Sequence, residues 1–269
     1  MRIYALSVVK NEADVIETNL RAAAQWADKI FVLDNGSTDG TWEKVKALAN
    51  EVIIPWKQDD RPFRDNMREQ LFREFRHLAK PNDWWCIRLD ADEFYEDDPR
   101  VFLKEIPDGY HYVCAGFVQF QLTRKDLTEH TFTGNFEQDR PHIRHFVKKL
   151  WVETRFVRHR DRLHWPSDLP FPKYMGIVYP KLIIATHYQY RSPEQVQLRL
   201  DVRQVAKAAG HHSPHVTQNH WEEVLCKPES LCSLTENIDF HKMLPENKYL
   251  REPYKLLIKR LLYGFKILP

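Results

Sequence analysis

The chain has 269 residues, of which 43% are hydrophobic and 29% charged, with 40 Lys and Arg against 38 Asp and Glu. That is a soluble globular balance, long enough for one large domain with an ample core. A formal net charge of +2 lends no support to nucleic-acid binding, and no apolar run approaches the ~18 residues a membrane-spanning helix needs.

The apolar part of Met1–Val9 is too short for a secretory signal and runs straight into Lys10-Asn11-Glu12, so a cytoplasmic protein is expected. Cys86, Cys114, Cys226 and Cys232 show no CxxC spacing, and the two inside expected strands, Cys86 and Cys114, read as reduced core residues.

Up to about residue 110 the pattern alternates strand and helix. Ile3–Val9 reads as a strand and Asp14–Trp26 as a helix with Ile16, Leu20, Ala23 and Ala27 on one face. Lys29–Leu33 is the second strand, Trp42–Ala49 a helix and Glu51–Pro55 a short third strand. Arg64–Leu78 predicts a long charged helix seamed by Met67, Leu71, Phe75 and Leu78, and Trp85–Leu89 a fourth strand. Such alternation predicts a mostly parallel, Rossmann-like α/β sheet with helices on both faces.

Beyond residue 110 the pattern turns to long β-like runs, Tyr110–Thr123 and Ile143–His159, then a Pro-rich loop Trp165–Pro172 and a strand Pro180–Tyr188. Ser192-Pro193-Glu194-Gln195 has the form of a capping box with Pro at the first helical position, predicting a helix that stops at Gly210. The domain expectation is 1–210, divided into a nucleotide-binding half (1–110) and a mixed β half on the acceptor side (111–210). A helical extension follows over 211–269.

Two strands end in acid. Phe31-Val32-Leu33-Asp34 passes through Asn35-Gly36-Ser37-Thr38-Asp39-Gly40 into a helix near Thr41, and Trp85–Leu89 delivers Asp90-Ala91-Asp92-Glu93. Open α/β sheets bind ligands at the carboxyl ends of their strands. Asp34 suits a base or ribose edge, being acceptor-only when ionised. The Asp90/Asp92 pair suits a hard cation holding phosphates. Asp39 fits the role of helix cap, and Glu93, Glu96, Asp97 and Asp98 read as surface acidity.

Asn11-Glu12 after the first strand, the Asp34–Thr41 run and Asp90-Ala91-Asp92-Glu93 together resemble the inverting family-2 glycosyltransferases of the GT-A fold. The likeness covers roughly residues 1–125, and His187-Tyr188-Gln189-Tyr190-Arg191 is similar to the end of the catalytic core in bacterial members. The resemblance implies a nucleotide-sugar donor, UDP-type, and transfer with inversion to a saccharide or lipid-linked glycan acceptor. It also implies Mg²⁺ or Mn²⁺ held by Asp92, with Asp90 and His187 as further ligands. Asn11, Glu12, Asp34, Arg64, Arg68, Asp90 and Arg191 are the expected donor-binding residues.

The family's Glu-Asp base signature is not visible. Asp139, Glu137, Glu153 and Asp168 are available carboxylates, and Asp168 is placed first because an aromatic neighbour in its loop could stack on a sugar. The missing signature keeps open a degenerate GT-A domain that binds nucleotide or glycan without turnover. His211-His212-x-x-His215 reads as an exposed polar turn.

Tyr254–Leu268 carries Leu257, Leu261, Phe265 and Leu268 on one helical face, with Lys255, Lys259, Arg260 and Lys266 as its charges. Such a helix can lie on an anionic membrane surface or dock on its own domain or a partner subunit. Both alternatives remain open at the level of sequence.

Overall fold

A computed structural model of the chain describes residues 1–64, 66–208, 217–234, 238–247, 250, 253–265 and 267. The expected helix stop at Gly210, the His211–His215 cluster, Lys266 and Leu268 lie outside the described residues.

The first half runs β1 (Ile3–Val9), α1 (Ile16–Ala23), β2 (Lys29–Asp34), α2 (Thr41–Ala47), β3 (Ile53–Gln58), α3 (Met67–Phe75), β4 (Trp84–Cys86), β5 (Glu93–Tyr95) and α4 (Pro99–Lys104). The second half runs β6 (Tyr112–Gln121), α5 (Arg124–Glu129), α6 (Phe136–Asp139), β7 (His145–Phe146), β8 (Trp151–Arg158), β9 (Ile183–His187), α7 (Pro193–Ala208), β10 (Cys232–Ser233) and α8 (Pro253–Gly264). All the strands join one sheet of order β10-β7-β6-β8-β4-β1-β2-β3, with β9 pairing β5 and β6.

Four strands, β3-β2-β1-β4, are mutually parallel, and β8 joins antiparallel between β4 and β6. All seven residues of β1 are buried. Ile3, Ala5 and Val9 enter one apolar cluster with Ile16, Leu20 and Val45 of α1 and α2; Tyr4, Leu6 and Val8 enter another with Met67, Leu71 and Phe72 of α3. Period-two alternation with both faces apolar is the mark of a parallel strand covered on both sides.

Several boundaries move for local reasons. The third strand starts at Ile53, because Asn50 Oδ1 accepts the Val52 and Ile53 amide hydrogens (2.7 and 2.8 Å) and holds residues 50–52 in a turn. The α3 helix begins at Met67 behind Asn66 rather than at Arg64, and its last turn tightens to a 3₁₀ helix over Arg76–Leu78. The run Ile143–His159 divides into β7 and β8 around a bend at Lys148-Lys149. Glu93 is not surface acidity: it is 4% exposed within β5. Asp98 is the N-cap of α4, accepting from Arg100 and Val101.

Helix α7 starts at Pro193 as expected, with the Gln195 N–H on Ser192 Oγ (3.2 Å). The α8 helix packs on the domain along one edge. Tyr263 lies against His111 with its hydroxyl on the Tyr174 carbonyl (2.9 Å), and Arg260 reaches the Tyr110 hydroxyl. Leu257, Ile258, Leu261 and Phe265 remain more than half exposed. Among the described residues no helix is long and apolar enough to cross a membrane.

Candidate active site

The chain runs from β1 to β2 on one side and later places β4 on the other, so the sheet order reverses beside β1. The crevice at such a reversal, outside the carboxyl ends of the strands, is where open α/β sheets bind ligands. A cleft of about 1230 Å³ opens there, walled by Lys10–Glu12, Asn35-Gly36, Arg64, Arg68 and Asp90–Glu93, and closed by β8 and α7.

One end of it is a clasped loop. Asn11, at φ 54°, gives its amide hydrogen to Ser37 Oγ and accepts from the Thr38 amide through Oδ1, each at 2.9 Å. Glu12 N–H meets Thr41 Oγ1, while Asp39 accepts from both Ala13 and Thr41. Gly36 has φ +70°, and a Cβ there would stand 3.0 Å from Asp60 Cα, so the turn requires glycine. Asp34 lies fully buried behind this wall, its Oδ1 accepting from Ser37 N–H (2.8 Å) and Gln58 Nε2 (2.9 Å). Among the described residues, Asp34 Oδ2 and Asn35 Oδ1 are buried acceptors without a donor. Leaving such atoms unpaired costs ~1–3 kcal/mol each.

The other end is a ladder of alternating charge. Arg68 Nη2 meets Asp90 Oδ1 at 2.5 Å, and Arg88 Nε meets Asp90 Oδ2 at 3.0 Å. Arg88 Nη1 then reaches Glu153 Oε1 (2.7 Å), Arg155 Nη1 reaches Glu153 Oε2 (2.7 Å), and Arg155 grips Glu93 through Nε and Nη2. A shift of pairing register opposite Val113 and Cys114, where β8 has one residue more than β6, turns Arg155 into this ladder. A second group surrounds Asp92, whose Oδ2 lies 3.3 Å from His187 Nε2, 3.1 Å from Arg199 Nη1 and 3.8 Å from Arg191 Nη1. Arg191, 1% exposed, is in turn gripped by Glu12 and Asp14. Burial alone would raise the Asp90 and Asp92 carboxyls, but the adjoining cations outweigh it and hold both below the usual carboxylate range.

Residues 5–161, more than half of the chain, match the family model described as Glycosyl transferase family 2. The chain belongs to this family. Among curated relatives, an uncharacterized glycosyltransferase of Rickettsia bellii is 30% identical over 114 residues, covering 42% of this chain and 33% of that protein. The uncharacterized glycosyltransferase RT0209 of Rickettsia typhi is 24% identical over 205 residues, covering 72% of this chain and 63% of that protein. The chain thus spans between a third and somewhat under two thirds of these relatives' length. Among solved structures, S. aureus TarS 1–349 matches with a TM-score of 0.39 at 12% identity, over 76% of this chain and 65% of that one. The parallel core flanked by antiparallel strands, with helices on both faces, is the GT-A arrangement expected of a family-2 domain.

Most residues expected at the site of this family-2 domain do converge on the cleft: Asn11, Glu12, Arg64, Arg68, Asp90, Asp92 and His187 all line it. Four roles change. Asp168 lies in a separate pocket with Arg73, Arg76 and Trp165, so it cannot serve a reaction in the cleft. Arg191 is spent on Glu12 and Asp14, tying the β1 end to the β9–α7 connection rather than reaching for phosphate. Asn11 shapes the loop through its side chain. Asp90 has each oxygen engaged by an arginine, which leaves it a poor metal ligand.

The pair Asp92 and His187 fits a divalent ion better, since among the described residues the ion pairs of Asp92 all run to Oδ2 and leave Oδ1 clear. Two ligand atoms at ~2.1 Å from a metal and at right angles stand ~3.0 Å apart, close to the 3.3 Å between Asp92 Oδ2 and His187 Nε2. Among the described residues no third acidic, histidine or cysteine side chain completes such a site. An ion there would take its remaining ligands from phosphate oxygens and water, as Mg²⁺ commonly does.

Arg88, Arg155, Arg199 and Trp151 were not foreseen. Arg88 is a charge within the otherwise apolar run Trp85–Leu89, the local signal that marks it. Trp151, Glu153 and Arg155 alternate along their strand, a pattern compatible with one polar face.

Proposed function

We propose that this domain transfers a sugar from a nucleoside-diphosphate donor, UDP-type, to a hydroxyl of a saccharide or lipid-linked glycan, with inversion at the anomeric carbon. The observation that carries this is Asn35, which lines the cleft at the end of β2 and holds a buried acceptor, Oδ1, without a donor among the described residues, with Asp34 Oδ2 a second such atom behind it. A uracil N–H and ribose hydroxyls are the donors such atoms lack. Asp92 and His187 would hold the divalent ion, which when bound neutralises charge on the diphosphate. Lys10 and Arg64, on the cleft wall, suit the same phosphates. Arg191 keeps the β1 end and the β9–α7 connection in register, so the nucleoside and phosphate halves of the cleft stay aligned.

A second reading, a domain that binds donor without turnover, draws on the ion pairs of Arg199 and Arg191 with Asp92, which a metal would have to displace. One measurement separates the two: hydrolysis of a panel of nucleotide sugars with and without Mn²⁺, in the absence of acceptor. Slow, metal-dependent release of nucleoside diphosphate supports transfer. UDP binding with no release across the panel supports the second reading.

The α8 helix suits an anionic bilayer, since its exposed apolar face carries basic neighbours Lys255, Lys259 and Arg260. It sits by Tyr110 and His111, before the first residue of β6, whereas Gln119 of the same strand pairs with His187. Seven residue steps along the strand separate Tyr112 from Gln119, about 23 Å. A membrane held there lies behind the cleft, so the helix would anchor the domain rather than present the acceptor.

A further inference from the structure

We propose that Trp151 and Glu153, side by side on the cleft face of β8, form the acceptor subsite. A pyranoside would stack its C–H face on the indole, and its attacking hydroxyl would hydrogen-bond the Glu153 carboxylate. This rests on the transfer reading above and supplies the base that the sequence does not show.

Trp151 is 36% exposed, the one tryptophan among the exposed large hydrophobic residues described, and it lines the cleft. A tryptophan that only filled space would be expected to bury itself more fully. Its ring is set by Phe117 (centroids 5.2 Å apart, 36° between planes) and by His187 (5.2 Å, 70°). The second contact joins the platform directly to the Asp92–His187 pair, where the leaving diphosphate would be held. Residues two apart on a strand point to one face, which puts Glu153 beside the indole. Both are cleft residues.

The other carboxylates suit the task less. Glu93 is 4% exposed and gripped in two places by Arg155. Glu12 is tied to Arg191 and Asp168 lies in another pocket; Asp90 is held by two arginines as Glu153 is, but it lies in the loop beside Asp92 and does not share the β8 face with Trp151. The Glu153 side chain keeps 24% exposure, and Arg88 and Arg155 fix it from the two ends of its carboxylate. Each oxygen retains a lone-pair site for a further donor. In the step, the acceptor oxygen bonds to the anomeric carbon as the bond from that carbon to the phosphate oxygen breaks. The bonding pair leaves on the nucleoside diphosphate, and the hydroxyl proton passes to Glu153.

Saturation-transfer NMR with methyl β-D-glucopyranoside and methyl α-D-mannopyranoside, in the presence of UDP and Mn²⁺, tests the platform. UDP titration by calorimetry runs alongside. Saturation should reach the ring C–H protons of at least one glycoside, fall roughly tenfold in Trp151→Ala and recover in Trp151→Phe, with UDP affinity unchanged in both variants. Glu153→Gln should keep UDP and glycoside binding while losing about 10²–10⁴-fold in transfer. No saturation transfer with UDP bound, equal transfer in Trp151→Ala, or full turnover in Glu153→Gln would overturn the subsite. Failure of UDP itself to bind, with glycoside saturation intact, would overturn the donor reading and leave the subsite standing.

Discussion

Arg88 and Glu153, 65 residues apart in sequence, meet at 2.7 Å across the floor of the cleft. The same guanidinium touches Asp90 at 3.0 Å, so one side chain joins the acidic loop after β4 to the cleft face of β8. Arg155 makes a second link, from Glu153 to Glu93, so two cations tie the acidic segment to β8.

Replacing Asp92 by Asn should reduce Mn²⁺ binding and transfer together, because this carboxylate is half of the Asp92–His187 pair. Electron paramagnetic resonance of bound Mn²⁺ and donor turnover should both fall by at least tenfold, measured below the melting temperature of the variant, which should drop because three buried or half-buried cations lose a shared carboxylate. Unchanged Mn²⁺ affinity would remove the metal assignment.

Asp34→Ala should act on donor affinity more than on turnover, raising the apparent KM. The substitution removes an unsatisfied buried acceptor but also frees Ser37 and Gln58, so the loop loses two hydrogen bonds. Calorimetric titration with UDP should show at least tenfold weaker binding; equal affinity would refute the nucleoside role.

Glu93→Ala should act on stability before activity. It strands Arg155, fully buried, with half of its carboxylate partners gone. Breaking one side of a buried pair costs ~3–5 kcal/mol, which a thermal melt would register as a fall of several degrees at least. The double substitution of Glu93 and Arg155 by apolar residues should recover part of that loss.

His111 makes stability depend on pH. Burial, aided by Arg160 and Arg158, pushes its pKa down to about 4, and its Nδ1 accepts the Ile177 amide hydrogen at 3.0 Å. Between about pH 6.5, where an unfolded histidine titrates, and pH 4, the unfolded chain binds a proton that the folded one refuses. Stability from this group is therefore present above pH 6.5 and lost as pH falls through that window. Melts from pH 7.5 to pH 5 should show a drop that His111→Asn reduces.

Anionic vesicles should recruit the protein through α8, with binding weakened by salt as screening shortens the reach of Lys255, Lys259 and Arg260. Replacing Leu257 and Leu261 by Glu leaves the packed edge at Tyr263 untouched and should abolish cosedimentation. Retained binding by that variant would exclude this face.

The parallel half of the fold was legible because its signals are local. The β1 strand is apolar at every position but Ser7, and α1 repeats its apolar residues on one face, so burial on both sides of a sheet can be read from spacing alone. The acidic ends were legible for the same reason: Asp34 closes β2, and Asp90 comes straight after the run Trp85–Leu89, of which only Trp85 and Cys86 lie in β4. Nothing local distinguishes Asp168 from Glu153, since each has an aromatic residue within three positions in the chain. The choice between them is made by β8 pairing with β6 and β4, which carries Glu153 to the cleft and leaves Asp168 behind α3. Likewise Arg191 meets Glu12 and Asp14 across more than 170 residues. Chain order determined which strands end in acid; only tertiary packing decided which cation meets each carboxylate, because ion pairing in a buried cleft depends on distances that sequence separation does not encode.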